Sequence, residues 1–224
     1  MQIRTGIDHR SHLQLMLDCA SVIPAIMEKR KALSPERALL VGISGIDAAG
    51  KGFVTARIAE LLEKRGIRPA VINIDGWLNL PHVRFHSQHP AKRFYDNAIR
   101  FDEMFEQIVL PLRETRSVDV ESNFTGETAT NFRKHRYAFR EIDVVLLEGI
   151  FLFKAVYRKH FDIRIWIDCS FECASKRAVM RGQEGLPPAE IRKAFETIYF
   201  PAQQIHLARD NPRETADYIF PNEL

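Results

Sequence analysis

Gly45-Ile46-Asp47-Ala48-Ala49-Gly50-Lys51-Gly52, directly behind the apolar run Leu39-Leu40-Val41-Gly42-Ile43, constrains this chain more than any other stretch. The pattern is G-x-x-x-x-G-K, a P-loop whose glycines let successive backbone N–H groups turn inward around a phosphate while the lysine neutralises its charge. In the run that follows, Phe53, Ala56, Ile58, Ala59, Leu61 and Leu62 fall largely at helical spacing, and Gly66 is a stop signal. Strand, glycine loop and helix in that order put an anion on a helix N-terminus, where free N–H groups and the macrodipole favour it. A glycine-rich turn in an ordinary βα unit is the plainer alternative, and the flanking runs weigh against it.

One position departs from the pattern. Gly52 stands where Ser or Thr would offer a hydroxyl to Mg²⁺, and Thr55, about one turn onward, is too far to replace it directly. Asp47 is also unusual there, because a carboxylate repels phosphate. Placement outward as a turn former would relieve that conflict.

The remainder of the chain reads as alternating strands and helices, which argues for an α/β fold with a central parallel sheet. Strands are predicted at Ala38–Ile43, Ala70–Ile74, Asp143–Leu147, Ile163–Ile167 and Asp217–Phe220. Helices are predicted at Gly52–Arg65, Phe101–Glu114, Phe171–Arg181 and Pro188–Asp210, with a further N-terminal helical segment inside residues 1–36. Val144-Val145-Leu146-Leu147 is apolar throughout, as expected of a strand covered on both faces. Residues 78–140 are more polar and aromatic, and the alternating pieces Ser117–Glu121 and Arg136–Arg140 suit a small antiparallel insertion. Residues 181–190 carry two glycines bounded by prolines, the composition of a mobile lid.

At 224 residues the chain suits a single domain with a sizeable core. A formal net charge of +3, with dispersed basic residues, gives no reason to expect nucleic-acid binding. No apolar run approaches the roughly 20 residues needed to cross a bilayer. No signal-like segment opens the sequence, so a cytoplasmic location is expected. Cys19, Cys169 and Cys173 form no disulfide framework and lack the spacing of a zinc site, so structural thiols are expected. Self-association through the N-terminal helix stays open, with no specific signal for it.

Two acids fall at predicted strand ends. Asp75 closes Val71-Ile72-Asn73-Ile74-Asp75, and Glu148 closes Val144-Val145-Leu146-Leu147-Glu148. Ligands of open parallel sheets lie beyond the carboxyl ends of the strands, the edge the P-loop also occupies. Phosphoryl transfer needs a group that orients or deprotonates the attacking hydroxyl, and carboxylates near Mg²⁺. Capping of a following turn is the alternative for each acid alone.

These residues together resemble the uridine kinase and phosphoribulokinase family, from about Leu39 to Asn222. The resemblance rests on the P-loop, Ile74-Asp75-Gly76-Trp77, Leu147-Glu148-Gly149-Ile150, Phe171–Arg181 and the C-terminal pieces Tyr199-Phe200-Pro201-Ala202-Gln203-Gln204 and Asp210-Asn211-Pro212-Arg213. It implies a P-loop NTPase three-layer sandwich with a lid and a small insertion, and an ATP- and Mg²⁺-dependent kinase. Its acceptor would be a small hydroxylated molecule, a nucleoside such as uridine first.

By position, the resemblance makes Asp75 the general base and gives Lys51 and Arg177 to the transferring phosphoryl group. Nucleotide would lie on Gly45, Ile46, Asp47, Ala48, Ala49, Gly50, Lys51, Gly52 and Phe53, with Arg181 closing over it, and Mg²⁺ on Asp75 and Glu148. Trp77, Phe94 and Tyr95 are candidates to stack a base, and equally to pack beneath the insertion. His135 matches the segment whose His contacts the base. Gly52 leaves a second outcome open, a nucleotide-binding regulatory protein without turnover.

Overall fold

The computed structural model describes residues 9–85, 88–182 and 185–223. Residues 1–8 of the expected N-terminal segment, and 183 and 184 of the expected lid, lie outside the described residues. Five parallel strands form the central sheet in the order β2-β5-β1-β6-β7. They span Leu39–Gly45 (β1), Pro69–Asn73 (β2), Val144–Gly149 (β5), Ile163–Asp168 (β6) and Tyr218–Pro221 (β7). A separate antiparallel pair, β3 (Val118–Phe124) and β4 (Arg133–Phe139), makes a hairpin inside the 78–140 region. β1 and β5 are buried along their whole length, which matches their uninterrupted apolar sequences.

Helices α2 (Ile23–Ala32) and α3 (Lys51–Glu63) pack near β1, and α1 (His9–Ser21) lies against α3 and β7. The insertion carries α4 (Pro81–Arg84), α5 (Pro90–Asn97), α6 (Phe101–Met104) and α7 (Leu110–Thr115). α8 (Phe171–Arg181), α9 (Pro188–Ala194) and α10 (Phe200–Asp210) follow β6. Ser170 caps α8 by accepting from the Cys173 N–H, and Gly182 closes it in the left-handed region.

Two predicted helices contain a wider turn. Phe105–Val109 and Phe195–Tyr199 are π-helical, joining α6 to α7 and α9 to α10. Each is followed at the second residue by proline, Pro111 and Pro201. Proline has no N–H for the ordinary i→i−4 bond and its ring crowds the carbonyl four residues back. A single widened turn accommodates it without ending the helix.

The five sheet strands agree with the sequence reading to within about two residues and the hairpin strands to within three, but the small difference at β2 falls at a functional point. β2 stops at Asn73, and Asp75 sits in a 3-10 turn, Ile74–Trp77, instead of at the strand end. The Asn73 side chain accepts from the Asp75 N–H at 2.7 Å, an Asx turn that ends the strand early. Among the described residues, no helix is long and apolar enough to cross a membrane.

Candidate active site

The P-loop crosses from the buried end of β1 into α3. Gly50 has φ +92°, and a Cβ there would run into the Asn222 amide. That makes it the glycine of the motif that conformation and space both demand. Lys51 is 8% exposed, and its ammonium donates to the Ile46 carbonyl at 2.9 Å, arching back over the loop. Gly52 differs from Gly50, since a Cβ there meets nothing within 4 Å. Thr55 donates its hydroxyl to the Lys51 carbonyl at 2.9 Å, so it is engaged inside the helix and does not stand in for the missing hydroxyl.

The register explains how the acids reach this loop. Glu148 on β5 lies between Ile43 on β1 and Asn73 on β2. Asn73 Nδ2 donates to Glu148 Oε2 at 2.7 Å, fixing the carboxylate. A cleft opens above these strand ends. Its lining contains Asp47, Lys51, Asp75, Glu127, Glu148 and Arg181, with Leu78, Phe94, Ile150 and Tyr199 as its apolar and aromatic part.

Both strand-edge acids are electrostatically perturbed. Asp75 stays accessible from the cleft, yet protein crowds its other sides. Desolvation raises its carboxyl above the ordinary range, Asp47 adds to this, and Lys51, Arg181 and Arg84 oppose it. Glu148 is 7% exposed, and burial raises its carboxyl too, against Lys51 and with Asp75 and Asp47. Asp75 and Glu148 thus bring two carboxylates, oxygen donors of the kind that hard divalent ions take, into the lining of one cleft beside the phosphate loop.

The Glu148 shift has a thermodynamic sign. A carboxyl raised in the folded state holds its proton more tightly there than in the unfolded chain. Its contribution therefore favours folding at low pH and is lost as pH rises from about 4 through the folded value. Glu148→Gln, which can still accept from Asn73, is expected to flatten this decline and raise the neutral-pH melting temperature. Melts across pH check it, and parallel parent and variant curves would contradict it.

The other expected residues are placed as follows. Asp47 does not point away from the loop. It accepts from the Ala48 N–H at 2.7 Å and meets Arg181 at 3.4 Å along the cleft wall. Arg177 is absent from the cleft lining. Its guanidinium donates to the Ala48 carbonyl at 3.3 Å and to the Asn222 carbonyl at 2.9 Å, bracing the loop from behind. Asn222 completes that brace by donating to the Ala49 carbonyl at 2.7 Å. Phe53 is 44% exposed and also lies outside the lining.

Three of the residues proposed to meet the acceptor do not line the cleft. Trp77 is fully buried and stacks on Tyr137 at 5.6 Å, under the Arg100 guanidinium. Tyr95 donates its hydroxyl to Asp210 at 2.5 Å and lines a separate recess with Lys154 and Arg209. His135 sits on the hairpin, edge-on to Tyr137 at 4.5 Å. Aromatic type alone could not tell a base-stacking ring from a packing one, because the facing side is set by the tertiary fold.

One aromatic that the sequence offered, Phe94, lines the cleft, together with two residues that it did not assign to the site, Tyr199 and Glu127. Phe94 and Tyr199 face the cleft, edge to face at 4.9 Å. Glu127 reaches it from the turn after β3. Glu127 follows the turn formers Thr125-Gly126, which marked a loop and nothing more.

A model of the phosphoribulokinase / uridine kinase family matches residues 40–184. No curated protein gives a significant match. The fold is similar to that of a possible uridine kinase from Bacillus stearothermophilus, at TM-score 0.67 and 18% identity, covering 90% of this chain and 98% of that one. It is also similar to a Silicibacter sp. TM1040 protein assigned as a fructose transport system kinase, at TM-score 0.69 and 18% identity, covering 92% and 98%. D-glycerate 3-kinase from Cryptococcus neoformans var. grubii follows at TM-score 0.62 and 12% identity, covering 86% and 89%. At these identities the likeness shows the fold alone.

Proposed function

The chain belongs to the phosphoribulokinase / uridine kinase family, and on that premise we propose that it transfers the γ-phosphoryl group of ATP to a hydroxyl of a small molecule, a nucleoside such as uridine being the first candidate. The observation that carries this reading is Asp75, which lines the same cleft as Lys51 with its carboxyl raised. A raised carboxylate is a better proton acceptor near neutral pH, which suits a general base toward an attacking hydroxyl.

The residues then divide the work. The loop N–H groups and the N-terminus of α3 receive the phosphates. Lys51 and Arg181 stabilise the charge that spreads over the transferring group, and Arg177 keeps the loop in place by holding its carbonyl. Asp75 and Glu148 would hold a magnesium ion, which when bound supplies charge neutralisation at the phosphates. Phe94 and Tyr199 offer an aromatic wall to a base or sugar face.

A steady-state ATP-consumption assay over a panel of nucleosides, sugars and short polyols tests the reading. ATP binding without turnover on any acceptor would sink it and favour the regulatory alternative, for which Gly52 is the supporting observation.

Gly52 gives a sharper prediction. Because a Cβ there meets open space, Gly52→Ser is expected to leave the melting temperature within about 1 °C, since a surface change that breaks no contact is near neutral. The restored hydroxyl should lower the Mg²⁺ concentration needed for half-maximal turnover or leave it unchanged. A clear loss of ATP binding would show that the loop requires glycine at this position.

A further inference from the structure

We propose that Glu127 is a specificity-determining residue, selecting uncharged polyhydroxylated acceptors and excluding those that carry a carboxylate or phosphate. The proposal rests on the kinase reading for the identity of the cleft, and it narrows that reading to a substrate class.

The first argument is positional. Glu127 lines the same cleft as Asp75, at its insertion side. The turn that carries it is tied to the catalytic turn, because the Thr125 N–H donates to the Gly76 carbonyl at 3.1 Å and the Phe124 ring packs over Gly76. Glu127 is therefore held in a fixed relation to Asp75, across two segments far apart in sequence.

The second argument is the support beneath it. Arg84 is completely buried, which is rare for a guanidinium and costly without compensation. Its Nη2 donates to the Glu127 carbonyl at 2.7 Å, and its Nη1 meets the Glu127 carboxylate at 3.4 Å. The buried guanidinium thus touches both the backbone and the carboxylate of this loop residue. Arg84 acts here as a positioning residue, since it is not part of the cleft lining.

The third argument is charge. Among the described residues lining the cleft, the cations are Lys51 and Arg181, and both belong to the P-loop side. Asp75 and Glu127 belong to the same lining as Leu78, Phe94, Ile150 and Tyr199, and the cation that meets the Glu127 carboxylate, Arg84, lies behind the wall. An ionised carboxylate accepts hydrogen bonds and donates none. Hydroxyl groups satisfy it, whereas a second anion placed beside two carboxylates is repelled in a partly desolvated space.

The test compares matched acceptors, glycerol with D-glycerate and D-fructose with D-fructose 6-phosphate, with uridine as a further neutral probe. Binding is measured calorimetrically in the presence of a non-hydrolysable ATP analogue, and KM and kcat by ATP consumption. The parent protein is expected to bind at least one neutral probe at least tenfold better than an anionic counterpart. Glu127→Gln should raise KM for the neutral acceptor about tenfold with kcat nearly kept, the size of losing a hydrogen bond to a charged group. The neutral-over-anionic preference should shrink, and Glu127→Asp should restore part of it.

An anionic acceptor bound as well as its neutral partner, no binding of any probe, or an unchanged preference in Glu127→Gln would each overturn the proposal. Glu127-dependent binding of a neutral probe with no ATP turnover would instead sink the kinase reading and leave the selectivity standing. Melting curves on each variant establish that it is folded, because the Glu127 carboxylate is a partner of the buried Arg84.

Discussion

Asp75→Asn is expected to lower turnover by about 10²–10⁴-fold while ATP affinity measured without Mg²⁺ changes by less than about twofold, the scale of losing a positioned general base. The substitution keeps the shape of the side chain, so the Asx turn made by the Asn73 side chain and the Asp75 N–H persists. It removes a charge that protein crowding and Asp47 both disfavour. The melting temperature should therefore stay at or above that of the parent, which separates a catalytic loss from a folding defect. In the parent, the acid limb of the kcat/KM profile should lie above the ordinary aspartate value, because the carboxylate must be free of its proton to act. Initial rates, nucleotide titrations and thermal melts on the same preparations check all three statements. An unchanged rate would exclude Asp75 as the base.

Trp77→Ala should have the opposite signature, a large loss of stability. Trp77 is fully buried, stacked on Tyr137 and covered by Arg100. Truncating a ring of that size in a core costs about 3–5 kcal/mol. For a chain of this length that corresponds to a fall in melting temperature on the order of 10 °C. Urea unfolding measures the cost, and KM for the acceptor in the remaining folded protein should stay close to the parent value. A raised KM with unaltered stability would return Trp77 to the acceptor site.

The contrast between these two neighbours shows where sequence information ends. Asp75 was legible because a carboxylate at the edge of a parallel sheet, beside a phosphate loop, has few structural explanations. Trp77, two residues on, was ambiguous because an indole is as useful in a core as over a ligand. The strands were legible because uninterrupted runs such as Val144–Leu147 must be covered on both faces. The end of β2 was not, because one side-chain hydrogen bond from Asn73 decides it.

Glu127 and Arg84 were invisible for a deeper reason. Neither residue type is informative alone, and the meaning of the pair comes from contacts spanning 43 residues. The same is true of the loop's rear brace. Arg177 was assigned to the phosphoryl group by resemblance, and only the packed molecule shows that it grips the Ala48 carbonyl.

The sheet order has a kinetic consequence. β1, which carries the P-loop, pairs on one side with β5 and on the other with β6, and Ser44 and Gly149 are bonded across 105 residues. The Asn222 amide reaches Ala49 across 173. Contacts of such range are formed late, because loop-closure entropy must be met before they contribute. The phosphate loop therefore acquires its walls and its brace only when most of the chain has docked, and a partly folded chain has no nucleotide site to offer. Nucleotide then acts as a selective ligand of the finished fold. At a hundred times its dissociation constant it adds about 2.7 kcal/mol to that fold by mass action alone.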